Sequence, residues 1–276
     1  RSGGPALKPE SSKNFSLGAV FEPTDNLTLT VDWWRLEQDG LVGLFSDQNE
    51  ITLDYLLRLQ GGSNPNVVRD TPDATTAALY TAAGLTPAGE ILNVAQPFTN
   101  LDLRETEGID YALQYRLDTD RLGDFRFKFN VAQIRKFFQT PSAQAQQIID
   151  AVAAGTINNS VDVVAQQNFI RQNGNPEWRY SASLRWDKGN WGAGAFLKYV
   201  DDVVDTSVNN ATFDSLPVDS FRTLNLYADY TFDDDDSILD RTRIRFGVRN
   251  VEDNKPPIAD QFARGYFVGI HSNRGR

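Results

Sequence analysis

The fold is decided by one strictly alternating stretch, Phe125-Arg126-Phe127-Lys128-Phe129-Asn130-Val131, in which odd residues are apolar and even residues are polar. A second stretch, Arg241-Thr242-Arg243-Ile244-Arg245-Phe246-Gly247-Val248-Arg249, places apolar side chains at 244, 246 and 248 between arginines. Successive side chains of a β-strand point to opposite faces. Both stretches therefore predict strands with one apolar and one charged face.

The same alternation recurs along the chain and predicts about eight strands. They cover residues 15–21, 27–33, 109–117, 125–131, 179–186, 191–199, 224–232 and 241–249. With their flanks, these segments exceed the roughly 5–6 residues of an average soluble strand. They fit the roughly 9–11 residues that a tilted membrane-spanning strand needs. We expect antiparallel strands in sequential up-and-down order, not two packed sheets with crossing connections.

The connections between these segments alternate in length. Short ones cover residues 23–26, 118–123, 187–190 and 233–240, and long ones cover 43–100, 140–175, 201–219 and the part after 250. Short turns on one rim and long loops on the other are typical of outer-membrane β-barrels, on the periplasmic and extracellular sides respectively. Within the long loops we predict helices over residues 142–154 and 49–60, and a hairpin that pairs 66–69 with 91–94.

Two sets of side chains follow from this interpretation. A membrane-girdle set of strand-end aromatics comprises Trp33, Tyr115, Trp186, Trp191, Tyr230 and Phe232. A lumen-facing set of cations comprises Arg126, Lys128, Arg179, Arg185, Arg243, Arg245 and Arg249. Aromatic girdles mark both membrane interfaces of such barrels. The alternative is that the aromatics are ordinary strand-end residues of a β core.

Composition excludes several classes of function. The net charge of −10 argues against a nucleic-acid binder, because such proteins neutralise phosphates with cations. There is no Cys and a single His, His271, so metal centres built on these residues are excluded by count. His271 is the only histidine that could take part in a Ser-His-Asp catalytic triad. We therefore expect no enzyme, no cofactor and no metal site.

Several short motifs occur in the order found in one membrane-protein family. They are Leu7-Lys8-Pro9-Glu10-Ser11-Ser12, Leu29-Thr30-Val31-Asp32, Val68-Arg69, Thr106-Glu107-Gly108-Ile109-Asp110-Tyr111, Pro176-Glu177-Trp178-Arg179, Gly247-Val248-Arg249-Asn250 with Pro256-Pro257, and His271-Ser272-Asn273-Arg274-Gly275-Arg276. In this order the motifs resemble the barrel of TonB-dependent outer-membrane receptors. The resemblance covers nearly the whole chain.

The resemblance implies an all-β, transmembrane, antiparallel up-and-down barrel with long extracellular loops that carry short helices. Residues 1–276 then form the C-terminal portion of a 22-stranded barrel, strands 14 to 21, without the plug domain and the final strand. The implied function is TonB-dependent uptake of a scarce or bulky solute, such as a siderophore, saccharide or peptide. The implied partners are the TonB complex through the missing plug, outer-membrane lipid and the solute.

Alternatives remain at this stage. A passive porin or an adhesive barrel without TonB gating has the same wall, and an outer-membrane hydrolase built on His271 is a more distant reading. The lumen-facing cations are expected to contact either acidic residues of the plug or an anionic solute.

Overall fold

The computed structural model describes residues 7–157, 168–206, 215–233, 238–239, 241–260 and 265–272. In this part of the chain there are fourteen strands and three helices. The strands are β1 Ser11–Thr24, β2 Leu27–Asp39, β3 Val42–Leu44, β4 Val67–Arg69, β5 Ile91–Val94, β6 Phe98–Asn100, β7 Arg104–Thr119, β8 Gly123–Gln139, β9 Trp178–Lys188, β10 Trp191–Val200, β11 Val203–Asp205, β12 Leu216–Val218, β13 Phe221–Thr231 and β14 Arg243–Val248. The helices are α1 Asp47–Leu59, α2 Ala74–Ala82 and α3 Ala143–Ala153.

Eight of these strands form one sheet in the order β1-β2-β7-β8-β9-β10-β13-β14. Each long strand therefore pairs with the next long strand along the chain, which confirms the predicted up-and-down order. The longest, β8, has 17 residues. The sheet is open rather than closed into a barrel, with β1 and β14 at its two edges. Both edge strands are exposed along their whole length.

The antiparallel register gives the sheet one continuous apolar face. One row across it joins Phe127, Leu184, Ala195, Leu226 and Val248 as direct cross-strand neighbours. Cross-strand neighbours share a face and contact each other through their side chains. The apolar residues predicted to share a face therefore do so.

The opposite face is polar along the neighbouring row. That row joins Arg126, Arg185, Gly194, Tyr227 and Gly247. A one-residue slip in any pairing would move charged side chains onto the apolar face. The two-faced pattern therefore specifies the register.

A compact unit comprises residues 1–13, 36–105 and 138–168. Its helices α1 and α3 begin at serines, since Ser46 accepts a hydrogen bond from the Asn49 amide (3.1 Å) and Ser142 from the Ala145 amide (3.2 Å). Such caps satisfy amides that have no partner within the helix. Leu53 and Leu56 of α1 pack in one apolar cluster with Ile148 of α3. These helices and the β4–β5 hairpin confirm the predictions for the long connections.

The same unit buries a charged network. Asp54 on α1 has no exposed side-chain surface and accepts hydrogen bonds from Arg58 Nε (2.9 Å), Arg69 Nε (2.8 Å) and the Asn64 amide (2.9 Å). Burial raises the pKa of Asp54, but the hydrogen bonds from Asn64, Arg58 and Arg69 outweigh burial and hold this pKa below its usual value. The network joins α1 to β4, so the unit has an internal scaffold of its own.

The second unit comprises residues 14–35, 106–137 and 169–276. It contains a small core of Val200, Val203, Val218, Ala259, Phe267 and Ile270. Here the β11–β12 hairpin, which the alternation did not predict, packs with residues that follow β14. None of the helices in the described ranges is both long and apolar enough to span a bilayer.

We predict that Leu184 and Ser183, neighbours near the middle of β9, tolerate charge very differently. In the complete protein, Leu184→Arg places a charge on the apolar face and should lower the free energy of unfolding by about 2–4 kcal/mol in lipid vesicles. Ser183→Arg is the matched control, because Ser183 lies on the polar face opposite Lys128 and Phe196. Urea titration measures both, and equal losses would contradict the assignment of the faces.

The two sheet edges lead to a second prediction. Each edge strand exposes a row of unpaired N–H and C=O groups, and such groups cost several kcal/mol each in lipid. Residues 1–276 expressed alone should therefore aggregate on refolding into detergent, and co-expression of the remaining barrel strands should rescue them. Gel mobility with and without heating is the measurement. A monomeric, protease-resistant, heat-modifiable barrel formed by these residues alone would refute the prediction.

Candidate functional site: the polar face of the sheet

The structure places the predicted lumen-facing cations on the polar face or beside it. Arg126 and Lys128 lie on β8, Arg179 and Arg185 on β9, and Arg243 and Arg245 on β14, whereas Arg249 follows the last residue of β14. Arg126 is a direct neighbour of Arg185, and Arg245 is a direct neighbour of Asp229. Four of these arginines come together near the short turns. That this face lines a lumen remains a prediction.

One half of this charge network is centred on Asp187. Arg185 Nε donates to Asp187 Oδ2 (2.7 Å), and its Nη1 donates to the Tyr227 hydroxyl (3.2 Å). Arg126 Nη2 lies 3.6 Å from Asp187 Oδ2. Arg126 is the more weakly held of the two arginines, because its one ion pair with a described residue is long and its side chain is 54% exposed.

The other half is centred on Asp229, which is buried. Its carboxylate accepts hydrogen bonds from Arg243 Nε (2.7 Å) and from Arg245 (3.2 Å). The Arg245 guanidinium also lies 4.4 Å from the ring centroid of Tyr227, a cation–π contact. Tyr227 therefore links the two halves, since it contacts Arg185 through its hydroxyl and Arg245 through its ring.

The network carries more positive than negative charge. Four guanidinium groups surround the carboxylates of Asp187 and Asp229, and Asp124 is the direct cross-strand neighbour of Asp187. Four arginines against these three carboxylates leave one positive charge in excess. Exposed ion pairs contribute little to stability, and guanidinium groups bind carboxylates in a bidentate manner. The exposed arginines can therefore accept a further anionic partner.

Two glycines of β10 make room for this network. A Cβ atom at Gly192 would lie 2.6 Å from Asp229 Oδ1, and one at Gly194 would lie 2.5 Å from the Tyr227 ring. Glycine within a strand often marks such a close approach. Asp187, Asp229 and Tyr227 were not predicted as members of the site. The glycines at alternate positions of Trp191-Gly192-Ala193-Gly194 were the available signal.

A hollow of about 440 Å³ lies on the same unit, lined by residues of β2, β7, β8, β9 and β10. Asp32 and Asp110 supply acidic groups, and Arg179 and Lys198 supply basic groups. Asp110 accepts a hydrogen bond from Trp34 Nε1 (3.1 Å). The hollow therefore offers both signs of charge to whatever contacts it.

The predicted girdle aromatics fall into separate groups. Trp191 and Tyr230 are cross-strand neighbours in edge contact (4.8 Å between centroids), and Tyr230 contacts Phe232 (5.1 Å). Trp186 Nε1 donates to the Leu122 carbonyl in the β7–β8 turn (2.6 Å). Trp33 packs against Phe15 (5.5 Å), and Tyr115 is exposed on β7. Their position at a membrane interface stays a prediction.

Comparison with known proteins gives a family for this arrangement. The family model described as "TonB dependent receptor-like, beta-barrel" matches residues 1–251. No curated protein sequence matches the chain.

Solved structures share the fold. The chain is similar to a mutant of the ferric enterobactin receptor of Pseudomonas aeruginosa in complex with enterobactin (14% identity, TM-score 0.51, 97% of this chain and 29% of that chain). It is also similar to the iron transporter FrpB of Neisseria meningitidis (11% identity, TM-score 0.50, 93% and 29%). A third is the siderophore receptor PirA of Acinetobacter baumannii (16% identity, TM-score 0.50, 90% and 28%).

The chain thus spans less than a third of the length of these structures. The family model, in contrast, accounts for nearly all of the sheet described above. The chain belongs to the TonB-dependent receptor family, and its open eight-stranded sheet is a part of that family's β-barrel.

Proposed function

We propose that the protein containing this chain imports a scarce or bulky solute, such as a siderophore, saccharide or peptide, across the outer membrane with energy from TonB. The observation that carries the proposal is the two-faced sheet, apolar on one side and charged on the other. A charge at the bilayer midplane costs about 2–4 kcal/mol, so the charged face has to meet water or protein. Membership of the receptor family supports TonB as the energy source.

The excess of guanidinium groups favours an acidic protein surface as the partner of the polar face. In this proposal the partner is the plug domain of the same receptor, supplied by the part of the protein outside residues 1–276. Arg126 and Arg245 are its principal contacts, since both are about half exposed. An anionic solute is the other candidate for these arginines.

The long connections are the proposed solute contacts. The cluster of α1 and α3 and the buried network of Asp54 hold their unit in one conformation. A binding surface that is ordered before binding loses less conformational entropy when the solute arrives. The siderophore and iron proteins among the similar structures support a solute of this kind.

A passive porin or an adhesive barrel is the alternative function, and the family match does not favour it. The three functions differ in energy dependence. A porin needs no TonB, and an adhesin transports nothing. This difference provides the most direct test.

We predict that solute accumulation through the full-length receptor requires TonB. Cells that express the receptor should lose nearly all uptake of its solute when TonB is deleted, and a plasmid copy of TonB should restore it. Radiolabelled solute is the measurement, and a general porin in the same cells is the control. Uptake that persists without TonB would overturn the proposed function and favour the porin.

A charge reversal tests the partner of the polar face. In the full-length receptor, Arg126→Glu replaces a weakly held positive charge with a negative one, which would repel an acidic plug surface. Because this repulsion loosens the plug, ion leakage through the receptor in planar bilayers should rise severalfold. Arg121→Glu is the matched control, because Arg121 is an exposed arginine of the β7–β8 turn. Equal leakage from both variants would contradict the proposed contact between Arg126 and the plug. A loss of solute affinity without leakage would instead assign Arg126 to the solute.

A further inference from the structure

His271 lies in an apolar pocket that joins the residues after β14 to the ends of β10 and β13. Its ring makes an edge contact with Phe221 (5.4 Å between centroids) and lies 6.4 Å from the Phe267 ring. Phe267 belongs to the small core with Val200 and Ala259. The histidine therefore closes a core formed by chain segments that are distant in sequence.

The imidazole is buried without hydrogen bonds. The residue is 3% exposed, and neither ring nitrogen has a hydrogen-bond partner in the described part of the chain. The segment is held by its backbone, in which the His271 amide donates to the Phe267 carbonyl (2.8 Å). A neutral imidazole in this pocket leaves its ring nitrogens unsatisfied, and an imidazolium would in addition donate no hydrogen bond to a carboxylate of the described residues.

One charged group near the pocket, Lys198, makes protonation still less favourable. On the elements packed there, the described charged residues are Lys198, Asp201, Asp202, Asp205, Asp219, Arg222, Glu252, Asp253, Lys255 and Asp260. Asp205 accepts the Asp260 amide (2.8 Å), Asp202 pairs with Arg171, and Arg222 pairs with Glu252 (2.6 Å). Burial first, and the positive charge of Lys198 second, lower the pKa of His271 to about 4.

We propose that His271 is an acid-sensitive latch, whose protonation releases residues 265–272 from the pocket formed by Phe221, Val200 and their neighbours. Val200 and Phe221 are cross-strand partners on the polar face, and Lys198 of the same face also lines the 440 Å³ hollow. Release of the latch therefore uncovers the end of the face that bears the hollow. The proposal does not depend on TonB.

The direction of the effect follows from the two states of the imidazole. In the released segment the pKa of His271 returns to about 6.5, while in the pocket it is about 4. The closed latch is thus fully stable above pH 6.5 and loses stability as the pH falls towards 4. A difference of about 2.5 pH units corresponds to a rise of about 300-fold in the opening equilibrium, or about tenfold per unit.

Hydrogen exchange of the full-length receptor in detergent tests the latch. We expect the protection factors of residues 265–272 to fall about 60-fold between pH 7 and pH 4.5. Helix α1, which contains no histidine, should keep its protection in the same samples and serves as the internal control. In His271→Phe, which keeps an aromatic ring but cannot be protonated, the protection of residues 265–272 should be independent of pH over this range.

A second variant covers the case in which His271→Phe fails to fold. Lys198→Met removes the nearby positive charge and so raises the pKa of His271 in the pocket. The loss of protection on acidification should therefore be smaller than in the unmodified receptor, and it should level off at a higher pH. The imidazole resonance, assigned by its absence in His271→Phe or by its shift in Lys198→Met, should titrate well below pH 6.5. Titration near 6.5 in the folded protein, or an unchanged midpoint in Lys198→Met, would overturn the proposal.

Discussion

The structure depends on one constraint, the antiparallel backbone pairing that ties each long strand to the next. Because side chains alternate along a strand, this pairing joins the apolar residues of eight strands into one face and the charged residues into the other. The row from Phe127 to Val248 and the row from Arg126 to Gly247 are adjacent. A shift of one residue in the pairing of two strands would therefore place charged side chains on the apolar face. The register thus determines both the apolar face and the charge network.

The charge network shows how this register turns separate residues into a site. Asp229 and Arg245 are cross-strand neighbours, and Arg243 reaches the same carboxylate from two residues away. On the other side of β10, Arg185 reaches Tyr227 across Gly194. A side chain at Gly194 would fill the space that the Tyr227 ring occupies. The site therefore requires small residues on the strand between its two halves as much as it requires the charges.

Sequence patterns predicted the long strands, their order, and helices α1 and α3, because alternation, apolar helix faces and glycines at helix ends are local signals. They did not predict α2, which is rich in Ala and Thr and buries no residue, or the three-residue strands of the β3–β6 and β11–β12 pairs. The pairing of Arg243 with Asp229 was also missed, because it depends on a register between strands. The burial of His271 depends on Phe221, which is fifty positions earlier in the chain. Contacts between residues that are distant in sequence cannot be predicted from a local sequence pattern.

Lys198 lies both in the lining of the hollow and close to His271. It contributes a positive charge to the hollow, and it raises the cost of a second positive charge on His271. An anion bound in the hollow beside Lys198 would screen that charge and so favour protonation of the histidine. By reciprocity, protonation of His271 would strengthen the binding of an anion that contacts Lys198. The same lysine thus couples the occupancy of the hollow to the stability of the latch, through electrostatics alone and without a change in the strands.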